Sequence, residues 1–246
     1  MTDARGGPSA APRLGVGICA LNEARALPRL LSRLLQVRDA PDRADLVAVA
    51  DGGSSDGTPE LARRMGARVV EPGRGRGVQL GAAAEALLED GAERLLFLHA
   101  DCVPRTGSIA ALRAALERPG VRAAALRQSV EAEGRTFRWI ERAANGRARR
   151  GMVYGDSGMA LHGDVYRAAG GFPEVPLFED VALSKAVRRI APIHLVEDAT
   201  LAISPRRWQK EGVLRCTVRN WILRGLYECG VPPERLARRF YRSHAD

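Results

Sequence analysis

Between residues 14 and 98, short apolar runs alternate with helical segments, and this alternation narrows the fold more than any other feature of the chain. Leu14 to Leu21 reads as a buried strand, after which leucines at 27, 30, 31, 34 and 35 recur along one helical face. A second apolar run, Leu46 to Ala50, leads into Asp51-Gly-Gly-Ser-Ser-Asp-Gly-Thr58, and Pro59 then suits the first turn of a helix. Arg68 to Glu71 is a shorter third strand, Gly75 to Leu88 a loop entering an alanine-rich helix, and Arg94 to Leu98 the next buried strand. Strands that alternate with helices predict an α/β fold whose sheet is mostly parallel, with ligands held beyond the carboxyl ends of the strands. Three polar clusters fall at such ends: Asn22-Glu23, Asp51 to Asp56, and His99-Ala100-Asp101.

The remaining sequence is less regular. Arginines crowd positions 135 to 150, Gly155-Asp156 follows, and Gly170-Gly171-Phe172-Pro173 marks a turn. Apolar residues at 214, 218, 221, 222 and 226, with Arg215 and Arg219 on another face, predict an amphipathic helix over Val213 to Tyr227. Its apolar stripe is expected to pack on the chain's own core, with a membrane-surface role as the alternative. No linker separates domains, so the expectation is a tail over 1–13, one domain over 14–210 and a C-terminal helical segment, 211–246, packed on it.

The chain has 246 residues, of which 46% are hydrophobic and 27% charged, enough to bury a substantial core. Only 5% are aromatic, which argues against a base-stacking nucleic-acid binder. The net charge of +9 fits attraction to phosphates, acidic lipids or nucleic acid. Arginine supplies nearly all of it, Lys185 and Lys210 being the exceptions, so a GC-rich coding sequence explains the same bias. Cys19, Cys102, Cys216 and Cys229 lack metal-site or disulfide-framework spacing, which fits a reducing cytoplasm. Met1 to Arg13 has no apolar core of a signal peptide, and no apolar run approaches the roughly 20 residues of a transmembrane helix. A soluble or peripheral cytoplasmic protein is expected.

Taken together, Ala20-Leu-Asn22-Glu23, the Asp51 to Thr58 loop, Leu98-His-Ala-Asp101, Gly170-Gly-Phe172 and Glu179-Asp180 resemble, in order and spacing, the family 2 glycosyltransferases of GT-A fold. A radical-SAM/selenodomain-associated subgroup is the most similar, since it too carries His-Ala-Asp in place of Asp-x-Asp and an Arg-Arg-Trp near the end. The resemblance implies a Rossmann-like sheet flanked by helices, a nucleotide-sugar donor with a uridine pocket, and a divalent cation, Mg2+ or Mn2+. Ala20, Asn22, Glu23, Asp51, Gly52, Arg76 and Ala100 are then the donor-binding residues. The carboxylate of Asp51 is suited to accept a pyrimidine imide N–H, and Arg76 to reach a phosphate.

Asp101 is the expected metal ligand, because a hard cation bridging phosphates takes anionic oxygen. His99, in place of an aspartate, favours a borderline ion such as Mn2+ or stands behind the ligand. Glu179 and Asp180 precede a helix containing Leu183, Ala186, Val187 and Ile190; the resemblance makes Asp180 the general base of an inverting transfer, and helix capping is the alternative. Asp156, Arg207 and Trp208 fall on the acceptor side. No glutamine stands three residues before Arg207, where Ser204 is found instead, so processive polymerisation is not expected. Two other functions compete: a sugar-1-phosphate nucleotidyltransferase, which would open with a glycine-rich loop where this chain has Asn22-Glu23-Ala-Arg, and a basic binding module using the Arg135 to Arg150 face. The partners expected are a donor, an unidentified acceptor, a possible peripheral membrane contact and no specific nucleic acid.

Overall fold

A computed structural model describes residues 11–240. Ten residues of the expected tail, 1–10, and the last six of the C-terminal segment, 241–246, lie outside the described residues. The strands are β1 (Leu14–Ala20), β2 (Leu46–Asp51), β3 (Arg68–Val70), β4 (Arg94–His99), β5 (Cys102–Pro104), β6 (Ala123–Val130), β7 (Met159–His162) and β8 (Ile193–Ile203). The helices are α1 (Leu27–Leu35), α2 (Thr58–Arg64), α3 (Arg76–Glu89), α4 (Ser108–Glu117), α5 (Arg135–Arg149), α6 (Gly163–Ala168), α7 (Glu179–Arg188), α8 (Arg206–Glu211), α9 (Val213–Glu228) and α10 (Pro233–Phe240).

One eight-stranded sheet runs in the order β3-β2-β1-β4-β7-β6-β8-β5. The β3-β2-β1-β4 half is parallel throughout, β6 and β8 are also parallel, and β7 and β5 run against their neighbours. The expected α/β fold with a mostly parallel sheet flanked by helices is therefore found. β1 is buried along its whole length, as the unbroken apolar run demands of a central parallel strand. Leu27, Leu30, Leu31 and Leu34 of α1 pack on one face of the sheet, while Leu80, Ala83, Ala84 and Leu87 of α3 pack on the other.

The chain passes from β1 outward to β2 and β3, then returns to place β4 on the other side of β1. The crevice between the carboxyl ends of β1 and β4 is a topological switch point, where open α/β sheets hold ligands. The second half departs from what its residues suggest. Ala123-Ala-Ala-Leu-Arg-Gln-Ser-Val130, alanine-rich enough for a helix, is a strand because β7 and β8 pair with its two edges while Ala124 and Leu126 enter the core on one face and Ala123 and Ala125 that on the other.

The apolar stripe expected of Val213 to Tyr227 forms a helix but does not face the core. Cys216 and Leu223 are the buried residues of α9, whereas Leu214, Val218, Trp221, Ile222 and Leu226 are exposed. Leu223 joins Leu177 and Leu236 in a small separate cluster, so the inward face of α9 is the narrow one. No helix among the described residues is long and apolar enough to cross a membrane.

One buried acid ties α1 to the start of α4. Asp42, fully buried in the turn after α1, accepts hydrogen bonds from Arg33 Nη2 at 2.5 Å, Gly107 N at 2.7 Å and Ile109 N at 2.9 Å. It thus neutralises Arg33 and satisfies N–H groups at the start of α4. Asp42→Ala leaves those N–H groups without a partner and Arg33 without a counter-charge, with only the main-chain carbonyls of Asp42 and Arg105 to receive it, and should lower the unfolding free energy by about 3–5 kcal/mol. Asp42→Asn, which keeps an acceptor oxygen, should cost less, as read from denaturant midpoints.

Candidate active site

The loops after β1 and β2 close on each other through side chains that also bond to backbone. Asn22 Oδ1 accepts the Ser55 N–H at 2.9 Å, Thr58 Oγ1 accepts the Glu23 N–H at 2.9 Å, and Asp56 Oδ2 accepts the Ala24 N–H at 3.0 Å. Beneath them the buried Gln79 amide donates to the carbonyls of Ala20 at 2.7 Å and Ala50 at 2.8 Å, stapling the two strand ends. Gly52 lies against that amide, where a Cβ would stand 3.0 Å from Gln79 Nε2.

Two cavities open at this edge of the sheet. A cleft of about 870 Å3 is lined by Ala20, Glu23, Arg76, His99, Ala100, Asp101, Arg206 and Arg207 among others. An inner cavity of about 280 Å3 is lined by Tyr154, Asp156, Phe178, Asp180, Trp208, Asn220 and Arg224. Arg76, His99, Asp101 and Arg207 line both, so the two spaces meet at those four side chains. Residues from α3, β4, α7 and α8 are thereby brought together from across most of the chain.

Asn22, Asp51 and Gly52 line neither cavity. Asp51 is turned into its own loop: Oδ2 accepts the Gly53 N–H at 2.9 Å and the Ser54 N–H at 2.7 Å, and Oδ1 accepts the Ser54 hydroxyl at 2.5 Å. Glu23 forms a two-pronged ion pair with Arg206, whose Nε also lies 3.0 Å from Asp101 Oδ2. The first residue of α8 therefore bridges the acid of the first loop to the acid after β4.

Only two non-glycine residues among those described have left-handed backbone, Asn22 (φ 54°) and Phe178 (φ 66°), and each immediately precedes an acid of the site. Such a conformation is tolerable for asparagine and strained for phenylalanine. Phe178 is held there by stacking on Tyr227 at 4.7 Å, which fixes the start of α7 and with it Glu179 and Asp180. Glu179 is buried and pairs through Oε1 with Arg76 Nε at 2.9 Å, while its Oε2 has no partner. Burial raises its pKa above the ordinary carboxylate value against the opposing pull of Arg76, with the charge of Asp180 adding to the rise.

Asp180 faces the inner cavity, its Oδ2 accepting the Gly155 N–H at 2.6 Å and its Oδ1 the Val181 N–H at 2.6 Å. Gly155 is small of necessity, since a Cβ there would stand 2.7 Å from His99 Nε2 and 3.1 Å from Asp180 Oδ2. His99 and Asp180 are thus close neighbours around one glycine. Burial, with Arg76 next, lowers the His99 pKa, so the imidazole is neutral at physiological pH. Burial likewise pushes the neighbouring Cys19 thiol up to about 12, so it stays protonated and is a poor metal ligand.

Asp156 lines the same inner cavity and has a buried oxygen, Oδ1, with no partner. No group of three acids, histidines or cysteines among the described residues is arranged to enclose a metal ion. A cation that bridges nucleotide phosphates asks less of the protein, because one or two carboxylates suffice when phosphates and water complete the shell. Asp101 at the junction of the two cavities meets that requirement once Arg206 gives it up.

Arg206, Tyr154 and Arg224 were not assigned a role from sequence, although Arg206 adjoins the Arg207-Trp208 pair. Tyr154 carries the Arg147 guanidinium 3.8 Å from its ring centre and that of Arg224 at 4.8 Å, contacts invisible to local pattern. Trp208 packs on the core and meets Phe137 edge-on at 6.1 Å, so the expected core anchor also walls the inner cavity.

The β3-β2-β1-β4 parallel half-sheet, its helices on both faces and the polar loops at its switch point are those of an α/β protein of GT-A fold. Residues 15–166 match glycosyl transferase family 2, and the chain belongs to that family. Solved structures with this fold include a mannosyltransferase from Pyrobaculum calidifontis in complex with GDP-Man and Mn2+ (23% identity, TM-score 0.58, covering 79% of this chain and 57% of that one). Glucosyl-3-phosphoglycerate synthase from Mycobacterium tuberculosis, in complex with Mn2+, UDP and phosphoglyceric acid, is 21% identical with TM-score 0.59, covering 91% of this chain and 80% of that one. TarS 1–349 of S. aureus in complex with UDP-GlcNAc is 14% identical with TM-score 0.60, covering 78% and 58%. The chain thus spans little more than half the length of the mannosyltransferase. No curated protein matches it in sequence.

Two glycines of α3 separate packing from propensity. A Cβ on Gly77 would stand 2.2 Å from the Pro173 carbonyl oxygen and 3.3 Å from Glu179 Cβ, whereas nothing lies within 4 Å of one on Gly81. Gly77→Ala should therefore lower the unfolding free energy by about 1–3 kcal/mol. Gly81→Ala should raise it by up to about 1 kcal/mol through helix propensity. Equal midpoints for the two variants would contradict this account of the α3–α7 contact.

Proposed function

We propose that the chain transfers a sugar, with inversion and one unit at a time, from a nucleotide-sugar donor to an acceptor hydroxyl. The observation that carries this reading is the junction of the two cavities, where Asp101 and His99 of the donor-side cleft meet Asp180 of the inner cavity. The donor is taken as UDP-linked, as in the complexes of the synthase with UDP and of TarS with UDP-GlcNAc, whose fold this chain shares. Residues 14–210 act as the catalytic domain in this reading, and 211–246 as an accessory segment. The His99-Ala-Asp101 and Arg206-Arg207-Trp208 sequences are the ground for assigning the chain to the radical-SAM/selenodomain-associated subgroup.

Asp101 would hold a divalent cation, Mn2+ or Mg2+, which when bound offsets charge on the departing diphosphate. Arg76, Arg206 and Arg207 line the cleft where that diphosphate would lie and add fixed positive charge to it. Arg206, now 3.0 Å from Asp101 Oδ2, would turn to phosphate oxygen when donor is bound and leave that carboxylate available to hold the cation. Glu179 keeps Arg76 oriented from beneath. On the opposite side Asp180, fixed by the N–H groups of Gly155 and Val181, takes the proton of the acceptor hydroxyl as its oxygen attacks the anomeric carbon. Asp156 and Trp208, which line the inner cavity, shape the acceptor end.

Asp180→Asn retains size and hydrogen-bond acceptance by one oxygen but cannot take the proton. It should lower kcat by about a hundredfold to ten-thousandfold in an assay of nucleotide release, with donor KM nearly unchanged. Turnover within threefold of the parent would remove Asp180 as the base and leave it the structural role given by its bonds to the Gly155 and Val181 N–H groups. Asp101→Ala should abolish the part of the Tm increase by UDP that depends on Mn2+. An increase equal to that of the parent at saturating ligand would remove Asp101 from the site.

A further inference from the structure

The outward face of α9 has no core to cover. Leu214, Val218, Trp221 and Ile222 recur at helical spacing along it and are 78%, 41%, 59% and 51% exposed. Trp139 of α5, 49% exposed, meets Trp221 with ring centres 5.6 Å apart, so the two helices present one continuous apolar surface. Contiguous exposure of this kind marks an interaction surface and not a scatter of single residues.

Its surroundings are strongly basic. α5 carries five arginines and one carboxylate, and α9 three arginines and one carboxylate. Both carboxylates are already paired, Glu141 with Arg138 and Glu228 with Lys185 and Arg224. Arg135 and Arg142 of α5 and Arg215 of α9 are exposed, which leaves an apolar strip flanked by unneutralised cationic side chains. Two copies of such a surface repel each other, whereas an anionic bilayer complements both its parts. Tryptophan settles at the headgroup boundary, aliphatic side chains enter the acyl region, and arginine keeps its charge among the lipid phosphates.

We propose that this α5–α9 face docks the protein on an anionic lipid bilayer. The same α9 turns Cys216, Asn220, Leu223 and Arg224 toward the inner cavity, so a docked molecule holds that cavity within one helix diameter of the lipid surface. The attachment is interfacial and stands whether or not the transfer reading holds, since it involves neither donor nor catalytic acid.

The test is flotation of the full chain, without donor or acceptor, with vesicles of phosphatidylcholine alone or with about one third phosphatidylglycerol. Binding to the anionic vesicles should exceed binding to the neutral ones at least tenfold at low salt and fall steeply at about 0.5 M salt. Trp221→Ser combined with Ile222→Ser should weaken it at least tenfold, with far-UV circular dichroism and Tm preserved. Leu214→Ser, at the most exposed position of the face, serves the same purpose should the double variant fold poorly. The proposal is overturned if the parent stays in the aqueous phase at low salt, or if folded variants float like the parent. It is equally overturned if the parent is a dimer that these substitutions convert to monomer without vesicle binding, which gives the face to a second copy.

Discussion

Ala20 stands level with Asp51, and Cys19 level with His99, because β1 pairs in parallel register with β2 on one side and with β4 on the other. Everything at the site follows from that registration. Parallel strands deliver their loops to the same edge, and the reversal of strand order at β1 parts those loops to leave a crevice. The loop after β1 is then tied to the loop after β2 by backbone-to-side-chain bonds from Asn22, Thr58 and Asp56, with the Gln79 amide fixing the strand ends beneath. The strand ends beneath the cleft are accordingly held by hydrogen bonds, and Glu23, Arg76, Asp101 and Arg206 bring charge to its lining.

Those charges are mutually compensated. Glu23 and Asp101 share Arg206, and Glu179 holds Arg76. A dianionic ligand entering such a cleft meets arginines that exchange one anionic partner for another, so little charge is exposed to low dielectric during the exchange. The groups left with unmet hydrogen-bonding capacity are informative for the same reason. Asp156 Oδ1 and Glu179 Oε2 are buried without partners, on the inner side where an acceptor is proposed to lie and beneath the arginine that would face the donor. Unsatisfied buried oxygens of this kind are uncommon in folded proteins, and each calls for a partner such as a water or a ligand group.

The first half of the chain was legible because its signals are local. Apolar runs such as Leu14 to Leu21 and Arg94 to Leu98, punctuated by glycine-rich turns, fall within a residue or so of the observed strands. The second half was not, because its structure is decided by partners distant in sequence. β6 is an alanine-rich stretch made into a strand by β7 and β8, and β8 includes the exposed Glu197 and Asp198 within its eleven residues. The α9 stripe lies at the positions its periodicity indicates but faces outward and not to the core, since periodicity reports that a helix has an apolar face and says nothing of what that face meets. At the site, motif spacing brought out Asp101, His99, Glu179 and Asp180, which the fold gathers around two adjoining cavities. It could not show that Asp51 is enclosed by its own loop, or that Arg206 reaches Glu23 across more than half the chain.

The central claim is that the cleft between β1 and β4 is a nucleotide-sugar site completed by a cation at Asp101. Isothermal titration of UDP-sugars and GDP-sugars, with and without Mn2+, tests it most directly. The account predicts one site per chain, preference for the uridine nucleotide, and an affinity that rises when Mn2+ is supplied. Absence of binding by any nucleoside diphosphate sugar, with or without metal, in protein that is folded and monodisperse would contradict it.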